Sequence, residues 1–480
     1  MSIQAARAEL ESITKEQDLD HSTESLNDNI VSNFFSVFLK STWYSSVLMK
    51  LQASENSLNT DSTVSYAVSD TFHFLIYSYL TFRTPSIKVK PEYKGRVRIA
   101  WPHNLGTNIT PQASFVADDD EVYQTWDNVW ADIYFQFYQS AGAGQRESHN
   151  KGIGNMKCLE EWSEHLPSCH INVDQPWFYS MDPALAFPIF YKGSQIRAKH
   201  NYKFRLGITD LLRVQIKTPS GWKDATSKVN RSMYLDMPKN EKIQVPELWA
   251  RYSYNRENEL KQQKCDKVRT IYTRDVVICD AVNPVNYGSS ATLELQSKRP
   301  CLAFFWVAEN RDATNIRNFS NYTTNKQDLY DGWDPIKTSS FTYGTQELFK
   351  DMPSHHFTVA SARKHFPSSP DETGYHAYSY AWNSTSIHGD VGIIFEGLKA
   401  NLVCHIADTN IWHEDTKDDN DEMVLDAGSN ATNGGYKKTV VDPEVIAAAK
   451  QDFILRARML VVRKFVITMG DDGKATFTIK

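Results

Sequence analysis

The sequence predicts an all-β protein built from two antiparallel β-sandwiches, with short inserted helices and long loops between the strands. Three observations lead to this fold class. The chain has 480 residues, which is enough for two sandwiches of about 240 residues each. Aromatic residues make up 12% of it, a content that favours strands and large packed interfaces. Strand-like segments dominate the chain, whereas helical patterns are few and short.

Strand signals follow one another through the first half of the chain. Apolar residues alternate with lysine and arginine at 87–89 and 97–99, which is the period of a half-buried strand. Residues 214–216 form another strand that ends in a turn-forming run at 218–221. Residues 242–254 are typical of a strand that closes a sandwich.

The second half repeats this organisation. Residues 269–279 are typical of an opening strand, and the apolar run 302–307, which contains Trp306, is typical of a core strand. Two segments near the end, 464–469 and 475–479, flank an Asp-Gly turn and predict a hairpin.

Two helices are predicted in addition. Residues 255–264 are polar and favour helix. Residues 445–458 follow Asp442, Pro443 and Glu444, which supply an N-cap, a proline at the first helical position and an early acid.

These patterns predict four regions. Residues 1–24 form an N-terminal arm, 25–255 the first sandwich, 256–266 a connecting helix and 267–480 the second sandwich. The two sandwich regions have similar lengths, and no residue-level repeat relates them.

Charge and cysteine usage restrict the partners. The net charge is −6 and the pI is about 6.2, whereas nucleic-acid binders usually carry a basic stripe. We therefore expect no direct contact with nucleic acid. The six cysteines show no CxxC spacing, so we expect reduced thiols in a cytosolic setting. We also expect no secretory signal and no membrane-spanning segment.

The sequence predicts no enzyme and no catalytic, cofactor-binding or metal-binding residues. It has no Gly-x-Ser-x-Gly elbow and no His-Glu-x-x-His motif. His355 and His356 precede a predicted strand, where neighbouring side chains point to opposite faces and do not readily share a metal. The acidic run 415–422 lacks the spacing of a calcium loop, because Lys417 and Asn420 occupy key positions. We expect it to be a solvated loop.

Eleven segments carry a resemblance through their order and spacing: 40–44, 76–85, 97–107, 126–137, 152–156, 177–188, 248–252, 300–309, 318–324, 374–382 and 465–479. Together they resemble the major capsid proteins of iridoviruses and related large DNA viruses. Within that family, the segment at 126–137 is similar to a helix-like insertion. Residues 248–252 resemble the joint between two jelly rolls.

The resemblance implies two eight-stranded jelly-roll sandwiches standing side by side, with long loops forming outer towers. It implies a homotrimer that makes pseudo-hexagonal capsomers and tiles an icosahedral shell. Expected partners are further copies of the chain, penton and minor capsid proteins, and the inner viral membrane through the N-terminal arm. The location implied is the virion, after assembly in the host cytoplasm.

Two other functions remain open at this point. A scaffold protein like that of poxviruses, which forms a transient lattice on immature membranes, would share the fold. A carbohydrate-binding or carbohydrate-processing β-sandwich would use some of the 12 tryptophans as sugar platforms, or a pair of carboxylates that no sequence spacing reveals.

Overall fold

The computed structural model describes residues 44–255 and 268–479, apart from 54–62, 118–120, 139–142, 182–185, 192–193, 220, 227–228, 240, 382–393, 396–398, 408–451 and 470–474. The predicted N-terminal arm, connecting helix and acidic run lie outside these described residues, and the second predicted helix lies partly outside them.

The first half is a series of short antiparallel strands. They are β1 Tyr44–Lys50, β2 Thr63–Ala67, β3 Phe74–Arg83, β4 Ile87–Val89, β5 Val97–Ala100, β6 Gln112–Ala117, β7 Val122–Asp127, β8 His165–Leu166, β9 His170–Asp174, β10 Phe187–Pro188, β11 Phe190–Tyr191, β12 Ser194–Gln195, β13 Ala198–Lys203, β14 Arg213–Thr218, β15 Gly221–Asp224, β16 Leu235–Asp236 and β17 Glu247–Asn255.

The second half has fewer and longer strands. They are β18 Val268–Asp280, β19 Val285–Asn286, β20 Ser290–Leu295, β21 Cys301–Asn310, β22 Ile336–Tyr343, β23 Gln346–Pro353, β24 His376–Ser379, β25 Ala400–Ile406, β26 Asp452–Met469 and β27 Ala475–Ile479.

Helices are short insertions between strands. The α-helices are α1 Leu105–Asn108, α2 Asn128–Tyr138, α3 Ala143–Ile153, α4 Lys157–Glu160, α5 Phe178–Met181, α6 Ile208–Leu211, α7 Arg311–Asn315 and α8 Ser361–His365. The described residues also form two 3₁₀ turns, Pro91–Tyr93 and Arg231–Tyr234, and a π-helical turn, His356–Ala360. None of the described helices is long and apolar enough to span a bilayer.

The first half folds as a sandwich. One sheet has the order β1-β17-β3-β10, with β9 also paired to β3, and the other has the order β2-β13-β6-β7. Phe115 on β6 packs against Phe187 on β10 with a ring-centroid distance of 4.9 Å, so the two sheets meet face to face. Both rings are buried.

The second half forms a sandwich of the same kind. Its larger sheet has the order β18-β26-β21-β24, with β19 and β27 also paired to β26, and its smaller sheet has the order β20-β25-β22-β23. Phe304 on β21 lies 5.0 Å from Phe341 on β22, measured between ring centroids. Each pairing between described strands joins two strands of the same half. The predicted all-β class with two sandwiches is confirmed.

Most predicted strands are confirmed. The segments predicted at 87–89 and 97–99 are β4 and β5, and the terminal hairpin pairs Phe465 with Ile479 and Met469 with Ala475. The expected core strand is β21, in which Trp306 is fully buried.

The helix predicted at 445–458 is wrong over residues 452–458, which begin strand β26. Phe453, Leu455, Ala457 and Met459 are buried in the core of the second sandwich. This spacing has the period of two that a strand requires. The capping residues 442–444 that suggested a helix lie outside the described residues. A second error is the strand expected after His355, because residues 356–360 form a helical turn.

Candidate assembly surfaces and the junction between the sandwiches

Aromatic packing joins the two sandwiches. Phe305 on β21 contacts Trp130 and Phe137 of α2 at ring-centroid distances of 5.6 and 5.2 Å. All three side chains are buried. Since Phe304 and Trp306 point into the second core, both faces of β21 are covered. This explains why its sequence is a continuous apolar run instead of an alternating one.

His103 forms a buried polar bridge at the same junction. Its Nδ1 lies 2.6 Å from Glu160 Oε1, and its Nε2 lies 2.9 Å from Glu372 Oε1 in the second half. Burial alone lowers the pKa of His103, but the two carboxylates outweigh it and raise the pKa to about 10. His103 therefore carries a positive charge at neutral pH and holds the two halves together.

Asp132 on α2 is a second buried group at the junction. It accepts hydrogen bonds from Asn104 Nδ2 at 3.0 Å, from Thr107 Oγ1 at 2.7 Å and from the Tyr322 hydroxyl of the second half at 3.0 Å. Burial raises the pKa of Asp132 to about 6, despite the hydrogen bonds that lower it. These donors thus provide the hydrogen bonds that a carboxyl group needs when it is buried away from water.

Arginines of β26 cross from the second sandwich to the first. Arg458 is buried and binds Asp127 through two parallel hydrogen bonds, of which Nε–Oδ1 is 3.0 Å. Its Nη1 donates to Asp280 at 2.6 Å. Arg463 donates to the Tyr123 carbonyl at 2.5 Å and pairs with Asp275 at 3.0 Å. Two carboxylates around Arg458 raise its pKa although burial opposes this.

These interactions hold the two sandwiches together. A cavity of about 30 Å³ lies beside Asp132, His149 and Glu372, which is large enough to hold a water molecule. Among the described residues, no group of three or more histidines, cysteines or carboxylates is placed to hold a metal. The sequence prediction named no catalytic, cofactor or metal residues. It did not predict the role of four polar residues at the junction, which are His103, Asp132, Glu372 and Arg458.

Exposed apolar side chains mark surfaces of a different kind. Val47, Leu48 and Met49 on β1 are 39%, 45% and 36% exposed, and β1 is the outer strand of its sheet. Tyr272 and Ile278 are exposed on β18, the outer strand of the larger sheet in the second sandwich. Exposed apolar residues on the outer strands of the described sheets are candidate contacts with other chains.

Comparison with known proteins gives the fold and the relatives. The family model described as "Large eukaryotic DNA virus major capsid protein" matches residues 270–393. Over 368 residues the chain is 23% identical to the major capsid protein of Invertebrate iridescent virus 6, covering 71% of this chain and 76% of that protein. The chain is thus similar in sequence to the major capsid proteins of large eukaryotic DNA viruses. With the major capsid protein of Lymphocystis disease virus 1 it shares 25% identity over 429 residues, or 85% of this chain and 87% of that protein.

Solved capsid proteins have the same fold as this chain. PBCV-1 VP54 superposes with a TM-score of 0.63 at 11% identity, over 92% of this chain and 97% of that one. The Faustovirus major capsid protein superposes with a TM-score of 0.62 at 6% identity, over 96% of this chain and 98% of that one. These matches span both sandwiches and confirm the double jelly-roll fold expected from the sequence.

Proposed function

We propose that the chain is the major capsid protein of a large DNA virus and that it builds the icosahedral shell of the virion. The observation that carries this proposal is the large share of the chain that capsid proteins match. Capsid relatives match 71–85% of the chain in sequence, and the fold match to PBCV-1 VP54 spans 92% of it. The function is structural, and the chain is not an enzyme.

We further propose that three copies form a pseudo-hexagonal capsomer. Two similar sandwiches per chain, fixed to each other by the junction, give six similar walls in a trimer. The exposed apolar residues of β1 and β18 are the proposed contacts between copies. Burial of such residues in an obligate interface would stabilise the trimer.

Further contacts belong to the assembled shell. We propose that penton and minor capsid proteins bind the capsomers and that residues 1–24 reach a neighbouring capsomer or the inner viral membrane. The chain makes no direct contact with the genome in this proposal, since its net charge is −6 and phosphate binding requires basic surfaces. For the domain organisation, we propose that residues 1–24 form an arm, that residues 256–266 form a connecting helix and that the second sandwich begins at residue 267.

Negative-stain electron microscopy of the purified protein tests the capsomer. We expect uniform particles with a hexagonal outline in top views. Particles with two-fold symmetry, or single elongated particles of one chain, would contradict the proposal. Labelling of mature virions with an antibody to the chain separates a permanent shell from a transient scaffold, because a scaffold is lost on maturation.

A further inference from the structure

Two cysteines lie close together on the surface of the first sandwich. Cys158 is on α4 and exposed, and Cys169 immediately precedes β9 and is half-buried. The two thiols interact, since the side chain of Cys158 contributes to the raised pKa of the Cys169 thiol. Neither cysteine belongs to the junction described above.

The backbone holds each cysteine in place. Cys169 accepts a hydrogen bond from the Thr84 amide at 2.9 Å, and its own amide donates to Thr84 Oγ1 at 2.9 Å. The residue after Cys158 is Leu159, whose carbonyl accepts a hydrogen bond from the Trp101 amide at 2.7 Å. Both segments are thus tied to the residues that follow strands β3 and β5, so the backbone beside each cysteine is held in place.

Apolar packing brings the same two segments together independently. Leu159 and Ile171 are both buried in the first core. Their Cδ1 atoms lie 3.8 and 3.1 Å from the point where a Cβ on Gly154 would be. Gly154 has a φ of +101°, and its missing side chain lets the two segments approach each other.

We propose that Cys158 and Cys169 form a reversible disulfide when the protein leaves a reducing compartment. With oxidised glutathione as the oxidant, the Cys158 thiolate attacks one glutathione sulfur and releases one glutathione thiol. The Cys169 thiolate then attacks the Cys158 sulfur and releases the second. One protein S–S bond forms, one glutathione S–S bond breaks, and the two protein thiol protons pass to the two glutathione thiols.

The order of attack follows from exposure. Cys158 is the accessible thiol and meets the oxidant first. Burial raises the pKa of Cys169, and the neighbouring Cys158 adds to this effect. Cys169 is therefore the less reactive thiol toward a dissolved oxidant, and its position beside Cys158 lets it attack a mixed disulfide formed there.

The bond would close a loop that contains β8 and tie α4 to the start of β9. Cross-linking of this kind stabilises a fold mainly by restricting the unfolded chain. Disulfides persist on virion surfaces and not in the reducing cytosol. The subunit would thus gain stability after assembly, and the bond would form in an isolated subunit as well.

Peptide mapping of the full-length protein tests the pair. The native protein is incubated with oxidised glutathione, its free thiols are blocked with iodoacetamide, and it is digested. Trypsin cleaves after Lys157 and Lys192, so both cysteines fall in one peptide, 158–192. Formation of the bond lowers its mass by about 2 Da through loss of two hydrogens. Glu-C then cleaves after Glu160 and Glu164, and the short fragment 158–160 should stay linked to the fragment that begins at His165.

Three variants give the controls. Cys169→Ser should retain glutathione on Cys158, because the resolving thiol is absent, and Cys158→Ser should leave Cys169 unmodified. Cys279→Ser, which replaces a half-buried cysteine elsewhere, should leave the bond intact.

The oxidised wild-type protein should melt a few degrees above the reduced one, whereas oxidation should not raise the melting temperature of Cys169→Ser. Alkylation of both cysteines after oxidation, or a link from Cys158 to any other cysteine, would overturn the proposal.

Discussion

At the residue scale, Trp306 shows how one side chain connects several elements of the second core. Its ring lies 4.9 Å from Phe357 and 5.5 Å from His376, measured between centroids, and it is fully buried. The packing of three elements, β21, β24 and the π-helical turn, therefore depends on the volume of the Trp306 side chain.

Replacement of Trp306 by alanine should lower the free energy of unfolding by about 3–5 kcal/mol, because it removes buried apolar surface and leaves a cavity. Chemical denaturation followed by circular dichroism measures this loss. Trp333→Ala is the matched control, since Trp333 is 43% exposed, and it should cost much less. Equal stabilities of wild type and Trp306→Ala would contradict the core placement.

Because of His103, we expect the free energy of unfolding to decrease as the pH becomes alkaline. Its pKa is about 10 in the fold, against an ordinary value of 6.5. A group with a raised pKa contributes its stabilisation fully below pH 6.5 and loses it as the pH rises through about 10. Asp132 titrates in a lower range, because burial raises its pKa to about 6. Its contribution to the free energy of unfolding therefore changes mainly below pH 7.

His103→Gln should therefore be less stable than wild type at pH 7, and the difference should shrink as the pH approaches 10. Unfolding by urea at pH 7, 8, 9 and 10 measures this difference. His405→Gln is the control, since the His405 side chain is 42% exposed, and it should follow the wild-type pH profile. A constant difference between wild type and His103→Gln across this range would exclude the proposed charge bridge.

The junction residues could not be predicted from the sequence. His103 meets Glu160 from 57 residues away and Glu372 from 269 residues away, and no local pattern encodes such separations. The segment around His103 was singled out only through its resemblance to capsid proteins. By contrast, Trp306 was predictable, because a continuous apolar run of strand length indicates a strand covered on both faces.

At the element scale, β26 shows where local signals compete. An Asp-Pro-Glu run before it is typical of a helix start, yet residues 452–469 form one long strand. The alternating apolar residues from Phe453 to Met459 were the stronger signal. Since β26 pairs with β18, β19, β21 and β27, tertiary pairing determines its conformation over local propensity.

The N-terminal arm is the element whose proposed role lies outside the subunit. Deletion of residues 1–20 should leave trimers intact and prevent shell assembly, because the arm is proposed to contact a neighbouring capsomer or the membrane. Sedimentation of trimers, followed by electron microscopy of shells in infected cells, measures both steps. Loss of the trimer itself would place the arm in the contact between subunits.

At the scale of the whole molecule, the two sandwiches act as one unit. Phe305, His103, Asp132 and Arg458 join them through apolar contacts, hydrogen bonds and ion pairs. A fixed relation between the sandwiches is what a capsomer with six walls requires. Chain length and strand content predicted two sandwiches, whereas their jelly-roll topology followed from the resemblance to capsid proteins, because strand order is not written in local patterns.

The mass of the purified protein, measured by light scattering on a size-exclusion column, is the decisive test of the proposed trimer. We expect one species with three times the chain mass of 54.9 kDa, unchanged on dilution. A monomer that keeps its fold, as shown by circular dichroism, would contradict it.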